Sequence, residues 1–187
     1  MEQGNKTTDS NLRTRVAELA AELGMLPTQN KRLQLPPGGE LDLVCTQLDT
    51  QIFAFYLPAV VEAIRMVKLT SFPGASPAMV GLLNLRRQIV PIMDLRILLG
   101  LPHKAYDENT PIILIEHEKK KRGLIVDSIT EVIKVPSECV EIPSRIVSHS
   151  DYVVALVRGQ QGLIMVLDHT RLLNFSDNEG LDSFLRL

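Results

Sequence analysis

The feature that most constrains this chain is a short unit that occurs twice. Residues 81–85 form an apolar run of strand length, residues 84–88 a polar knot, and residues 89–93 a second apolar run. Runs this short, a turn apart, read as two strands rather than helices. Asp94 closes the second run, and Leu95, Leu98 and Leu99 follow at helical spacing. Gly100 stands where a short helix would end, because glycine accepts a left-handed backbone there. Residues 163–174 repeat the outline: an apolar strand, Asp168, then Leu172-Leu173 before Asn174. The echo implies two similar subdomains.

Other segments follow the same short-strand grammar. Residues 41–48 and 52–57 flank the turn 49–51 and predict a hairpin. Residues 112–115 and 123–127 flank a charged turn over 116–122, and residues 129–135 and 152–157 are further strand candidates. Many short strands separated by turns point to small barrels. The hydrophobic content of 45% is enough for a buried core, and with no tryptophan and 4% aromatic residues that core is expected to be aliphatic.

The first 40 residues differ in character. Leu12, Val16, Leu19, Leu23 and Leu26 recur at steps of four and three, which places them on one stripe of a helix over about residues 10–24. Asp9 or Ser10 can cap its start, and Gly24 and Pro27 end it. A Pro- and Gly-containing linker follows, with Pro36-Pro37-Gly38-Gly39 at its end. Near the other terminus, Ser176 and Glu179 form a capping box ahead of Leu181, Phe184 and Leu185, which predicts a final small helix. With 187 residues, the expected organisation is an extension over 1–40 and one domain over 41–187.

Several chemistries find little support. Nothing in the net charge of −2 suggests nucleic acid, where a clustered basic face would be expected. No run approaches membrane-spanning length and the N-terminus lacks the apolar centre of a signal peptide, so a cytoplasmic protein without membrane insertion is expected. Cys45 and Cys139 read as free thiols, and His103, His117, His149 and His169 lack ligand spacing, so no metal is expected. Cys139 with His149 has no more than spacing to recommend it as a nucleophile pair. No phosphate-binding loop, zinc-protease helix or nucleophile elbow occurs, and no cofactor is expected. The run Lys119-Lys120-Lys121-Arg122 reads as a solvated hairpin tip rather than a phosphate site. Asp94, Asp127 and Asp168 each close an apolar strand, a pattern that can hold Mg²⁺ for phosphotransfer or hydrolysis. The competing reading is helix capping, since two of the three precede a Leu-Leu turn.

The stretch Gly81-Leu82-Leu83-Asn84-Leu85-Arg86-Arg87-Gln88-Ile89-Val90-Pro91-Ile92-Met93-Asp94-Leu95-Arg96 closely resembles the signature of the CheW family, in which a glycine follows Asn-Leu-Arg; here that position is Arg87. Val60-Val61-Glu62-Ala63-Ile64 and the Pro-containing connector 72–77 are also similar to the family, and the resemblance covers residues 41–173. It implies a mainly β fold of two packed five-stranded SH3-like barrels. It also implies a non-enzymatic adaptor that couples the cytoplasmic tip of a methyl-accepting chemoreceptor to a CheA-like histidine kinase, for chemotaxis or for a related pathway such as twitching motility or gene regulation. By position, the partner-binding residues it implies are Val60, Glu62, Asn84, Arg86 and Arg87. Arg86 can instead brace its own turn, and Arg96 is expected to serve the fold.

Overall fold

The computed structural model describes residues 39–142, 152–159 and 162–175. The helices expected over 10–24 and after Ser176, the linker between 27 and 38, and His149 lie outside the described residues. Eleven strands are described: β1 (Glu40–Leu48), β2 (Gln51–Tyr56), β3 (Val60–Arg65), β4 (Met79–Leu85), β5 (Gln88–Asp94), β6 (Pro111–His117), β7 (Lys120–Ile125), β8 (Ser128–Pro136), β9 (Val140–Glu141), β10 (Val153–Gly159) and β11 (Gly162–Leu167). Two short helices, α1 (Leu95–Leu98) and α2 (His169–Leu173), follow β5 and β11.

The strands form two sheets, as the pattern of short runs implies. One has five strands in the order β3-β6-β7-β5-β4, and the other six in the order β8-β1-β2-β11-β10-β9. The sixth strand is the two-residue β9, which continues β8 after a 3₁₀ turn at Ser137–Cys139. The terminal strands β8 and β9 are thus consecutive in the chain, so this sheet curls round on itself. The five-stranded sheet closes differently. Beyond β3 the chain doubles back, and Thr70 exchanges backbone hydrogen bonds with Leu82 of β4 at 2.9 and 2.8 Å. Gly81 permits that approach, because a Cβ there would stand 2.8 Å from the Thr70 carbonyl oxygen.

The echo between residues 89–100 and 163–174 has a structural counterpart. β5 pairs in parallel with β7, and β11 in parallel with β2. Asp94 N–H donates to the Ala78 carbonyl and Asp168 N–H to the Tyr152 carbonyl, both at 2.7 Å. Each aspartate then caps the helix that follows: Asp94 accepts from the N–H groups of Arg96 and Ile97, and Asp168 from those of Thr170 and Arg171. Gly100 ends the first of these turns at φ +73°, as its position implies.

Why β6 is apolar at four successive positions becomes clear from its surroundings. Ile112 and Leu114 point into the five-stranded barrel with Leu83, Val90, Ile92 and Ile125. Ile113 and Ile115 point the other way, into a cluster shared by both sheets with Leu48, Met93, Leu124 and Leu167. A strand buried on both faces loses the usual alternation. The core is aliphatic as expected except at its centre, where Phe53 and Phe55 of β2 are fully buried. Each contributes about 2–3 kcal/mol by burial.

The charged run at 119–122 needs correction. The turn between β6 and β7 is two residues, Glu118 and Lys119, and the other cations belong to β7. Arg122 is buried, donating to the Leu172 carbonyl at 2.7 Å and the Phe175 carbonyl at 3.1 Å. Strand alternation turns it toward α2, where the carbonyls at the end of a helix need donors.

Candidate partner-binding site

The polar knot between β4 and β5 is tighter than its composition suggests. Leu85 pairs with Gln88, leaving Arg86 and Arg87 as a two-residue loop at φ +50° and +70°. Positive φ at both central residues is the hairpin geometry that matches strand twist, and it normally selects Asn-Gly. Arg87 therefore keeps the backbone expected of the glycine it replaces. We expect Arg87→Gly to raise folding stability by about 0.5–1 kcal/mol, the relief of left-handed strain exceeding the entropy cost of glycine. Thermal unfolding checks this, and an unchanged or lowered midpoint would show that the arginine is unstrained.

The turn holds Arg86 where it can reach across the barrel seam. β3 and β4 are opposite edges of the five-stranded order, yet Arg86 Nη2 lies 3.3 Å from Glu62 Oε2 on β3. Arg86 thus contacts another strand rather than bracing its own turn. Its side chain is 82% exposed against 28% for Glu62, so the pair is worth about 1 kcal/mol or less and leaves donors free to meet another surface. A bulge between Val60 and Glu62 interrupts β3 beside this pair and re-aims the side chains around it. Val60 is half-buried against the shared core, whereas Val61 is exposed. Asn84 is exposed opposite Ile89, which is itself 44% exposed. The structure therefore joins Glu62 to Arg86 directly, keeps Arg87 and Asn84 on the same hairpin end, and places Val60 mainly in the core.

The three strand-end aspartates are engaged in holding the fold. Asp94 and Asp168 are the caps described above, and Asp94 also accepts from the Tyr106 hydroxyl at 2.5 Å. Burial, then this bond, pushes the Tyr106 phenol up. Asp127 takes Nε and Nη2 of Arg96 at 2.7 and 2.6 Å, and it accepts from the Asp49 backbone N–H at 2.9 Å. The Arg96 bonds hold its carboxyl at about 2 despite the opposing effect of burial. The Arg96–Asp127 pair ties α1 and the β7–β8 junction to the β1–β2 turn, as the Asp127 N–H bond to the Gln47 carbonyl also does. A crevice of about 160 Å³ lies beside the pair, under Lys104, Tyr106 and Asp107. Among the described residues no cluster of three or more His, Cys, Asp or Glu side chains could hold a metal ion. Cys45 is buried, with its thiol pushed up to about 11 by burial and by Glu131, and Cys139 is exposed.

The model of the CheW-like domain matches residues 42–177. The chain belongs to the CheW-like family. This CheW-like chain is 30% identical to the chemotaxis protein CheW of Bacillus subtilis over 130 residues, covering 68% of the chain and 83% of the relative. It is 27% identical to that of Treponema pallidum over 148 residues, covering 76% and 87%. Protein PilI of Pseudomonas aeruginosa is 27% identical over 104 residues, 56% of each chain. The crystal structure of the scaffolding protein TtCheW from Thermoanaerobacter tengcongensis has the same fold, with a TM-score of 0.66 at 24% identity, covering 70% of this chain and 90% of that one. Among the described residues no helix is long and apolar enough to cross a membrane.

Proposed function

We propose that this CheW-like chain is a non-enzymatic adaptor of chemotaxis-type signalling, acting in the cytoplasm to join the helical tip of a methyl-accepting chemoreceptor to a CheA-like histidine kinase. Family membership supports the adaptor class. The observation that carries the partner face is the Glu62–Arg86 pair beside a bulged strand, with Arg86 in the stretch that resembles the family's signature and Glu62 in the second segment similar to the family. An arginine fork there can exchange Glu62 for a carboxylate or carbonyl on a partner. Coupling is then thermodynamic: one rigid domain holding receptor and kinase together lets receptor conformation bias kinase activity. Phosphotransfer or hydrolysis by the strand-end aspartates is disfavoured, because their oxygens already serve caps and an ion pair. Chemotaxis is preferred over a related pathway because the chemotaxis proteins of Treponema pallidum and Bacillus subtilis match over 76% and 68% of the chain, against 56% for PilI.

The test is co-sedimentation of the chain with the receptor signalling fragment and the kinase regulatory domain from the same organism. The expected result is a complex containing all three. Binding to neither partner would refute the proposal.

A further inference from the structure

The helix α2 continues the chain of the six-stranded barrel, yet it seats on the β6–β7 hairpin of the five-stranded one. It follows β11, and its Leu172 and Leu173 are buried in the cluster that both sheets share. The hairpin grips the C-terminal end of the helix with cations that stay charged across the physiological range. Arg122 holds the Leu172 and Phe175 carbonyls, and Lys120 Nζ donates to Asn174 Oδ1 at 2.8 Å. At the N-terminal end the contact is of another kind. His169, the first residue of α2, meets His117, the last residue of β6, edge to face, with ring centroids 5.4 Å apart and planes at 75°.

Two neutral imidazoles pack at that distance, whereas two imidazolium ions repel. The other charges at this end do not neutralise both rings. Glu118 Oε1, in the turn after β6, stands 3.7 Å from His117 Nε2. Asp168, the cap of α2, is already engaged: it accepts from the Thr170 and Arg171 N–H groups and the Thr170 hydroxyl, and meets Arg171 Nε at 3.4 Å. Lys120 on β7 lies opposite His117 in the strand register and adds positive charge. Glu116 and Lys121 pair with each other on the opposite face of the hairpin. Tyr152, ahead of β10, packs into the shared cluster and takes the Asp168 N–H at its carbonyl. Burial lowers the half-buried His169 imidazole from its ordinary 6.5; Asp168 opposes that effect and His117 adds to it.

We propose that His117 and His169 form a proton-operated catch between the two barrels: neutral, they let α2 seat on the β6–β7 hairpin, and doubly protonated, they push its N-terminal end away. The catch goes beyond the adaptor reading and does not depend on it. A histidine held below its unfolded value binds fewer protons folded than unfolded, so the stability it permits is full at high pH and falls as pH drops. For His169 the loss begins near 6.5 and is complete once the pH lies below the folded value. Lys120 and Arg122 keep their charge throughout, so the loosening is confined to the histidine end of the joint.

The test is hydrogen exchange of the full chain at about pH 7.5 and about pH 5.5, on either side of the ordinary histidine value, compared as protection factors so that the intrinsic pH dependence cancels. The amides of Leu172 and Asn174, bonded within α2 to the Asp168 and Thr170 carbonyls, should lose about three- to tenfold in protection on acidification. Amides of β1 should keep theirs. His117→Gln and His169→Gln should each remove most of the loss; the His117 side chain is 40% exposed, so glutamine is accommodated there. His103→Gln is the control, because His103 packs against Tyr106 on the loop between α1 and β6, and it should leave the loss intact. In parallel, the His169 titration midpoint followed by NMR of the imidazole protons should rise toward 6.5 in His117→Gln. Unchanged α2 protection between the two pH values, an undiminished loss in His117→Gln, removal of the loss by His103→Gln, or a His169 midpoint indifferent to His117→Gln would each overturn the catch.

Discussion

Asp127→Ala is expected to cost about 3–5 kcal/mol of folding stability, the penalty for removing one partner of a buried pair. The side chain of Arg96 is only 10% exposed and that of Asp127 14%, so the guanidinium left behind recovers from water only part of what its two charge-assisted bonds supplied. Its bond to the Pro102 carbonyl remains, but the Asp49 N–H also loses its acceptor. Replacing both members, as in Arg96→Met with Asp127→Leu, should cost far less, about 1–2 kcal/mol, because no charge stays stranded. Urea unfolding of the three proteins checks the ordering, and a double variant as unstable as Asp127→Ala would show that the pair's specific bonds matter more than the stranded charge.

The same pair predicts an acid transition. Asp127 is lowered from an ordinary value of 3.8 to about 2 in the folded chain. A depressed carboxylate contributes stability that is fully present above its unfolded value and is lost as pH falls through the folded one. The window is therefore about pH 4 down to 2, and the loss about 2 kcal/mol. Asp127→Asn should show no such component in urea unfolding repeated across that window.

Charge reversal at the hairpin end should act on binding and not on folding. Arg86→Glu and Glu62→Arg are each expected to weaken partner binding at least about tenfold while changing stability by less than about 0.5 kcal/mol. The exposed pair they disrupt contributes little to the fold. The double swap, Arg86→Glu with Glu62→Arg, restores an ion pair within the domain but with its polarity inverted. If the pair's purpose is to brace the barrel seam, the swap should rescue binding. If it faces a partner, binding should stay lost, and that is the expected result in a titration against receptor fragment and kinase.

What the sequence disclosed depended on how local the cause was. The β4–β5 hairpin, both aspartate caps and the Gly100 terminus follow from residues within a few positions of one another, and all are present. The repeated unit likewise foretold two sheets, although not that β9 would add a sixth strand to one. Contacts between distant segments were less visible. Arg122 looked like the end of a solvated run because α2, which its guanidinium serves, lies 50 residues away in the chain at Leu172. The Asp127–Arg96 pair was hidden for the same reason, since Asp127 could be read only as a strand-end carboxylate. Of the residues assigned to partner binding, Glu62 and Arg86 were tied by resemblance alone, and their contact across the seam emerges only when the barrel closes.

We propose that this domain makes a kinase responsive to a receptor through the face around Glu62 and Arg86. The most direct measurement is kinase autophosphorylation in receptor-bearing membranes from the same organism, with the chain absent, with wild type, and with Arg86→Glu. The expected result is stimulation that requires both receptor and wild-type chain, is suppressed by receptor ligand, and is largely lost with the folded Arg86→Glu variant. Full stimulation by that variant, or kinase activity indifferent to the chain, would contradict it.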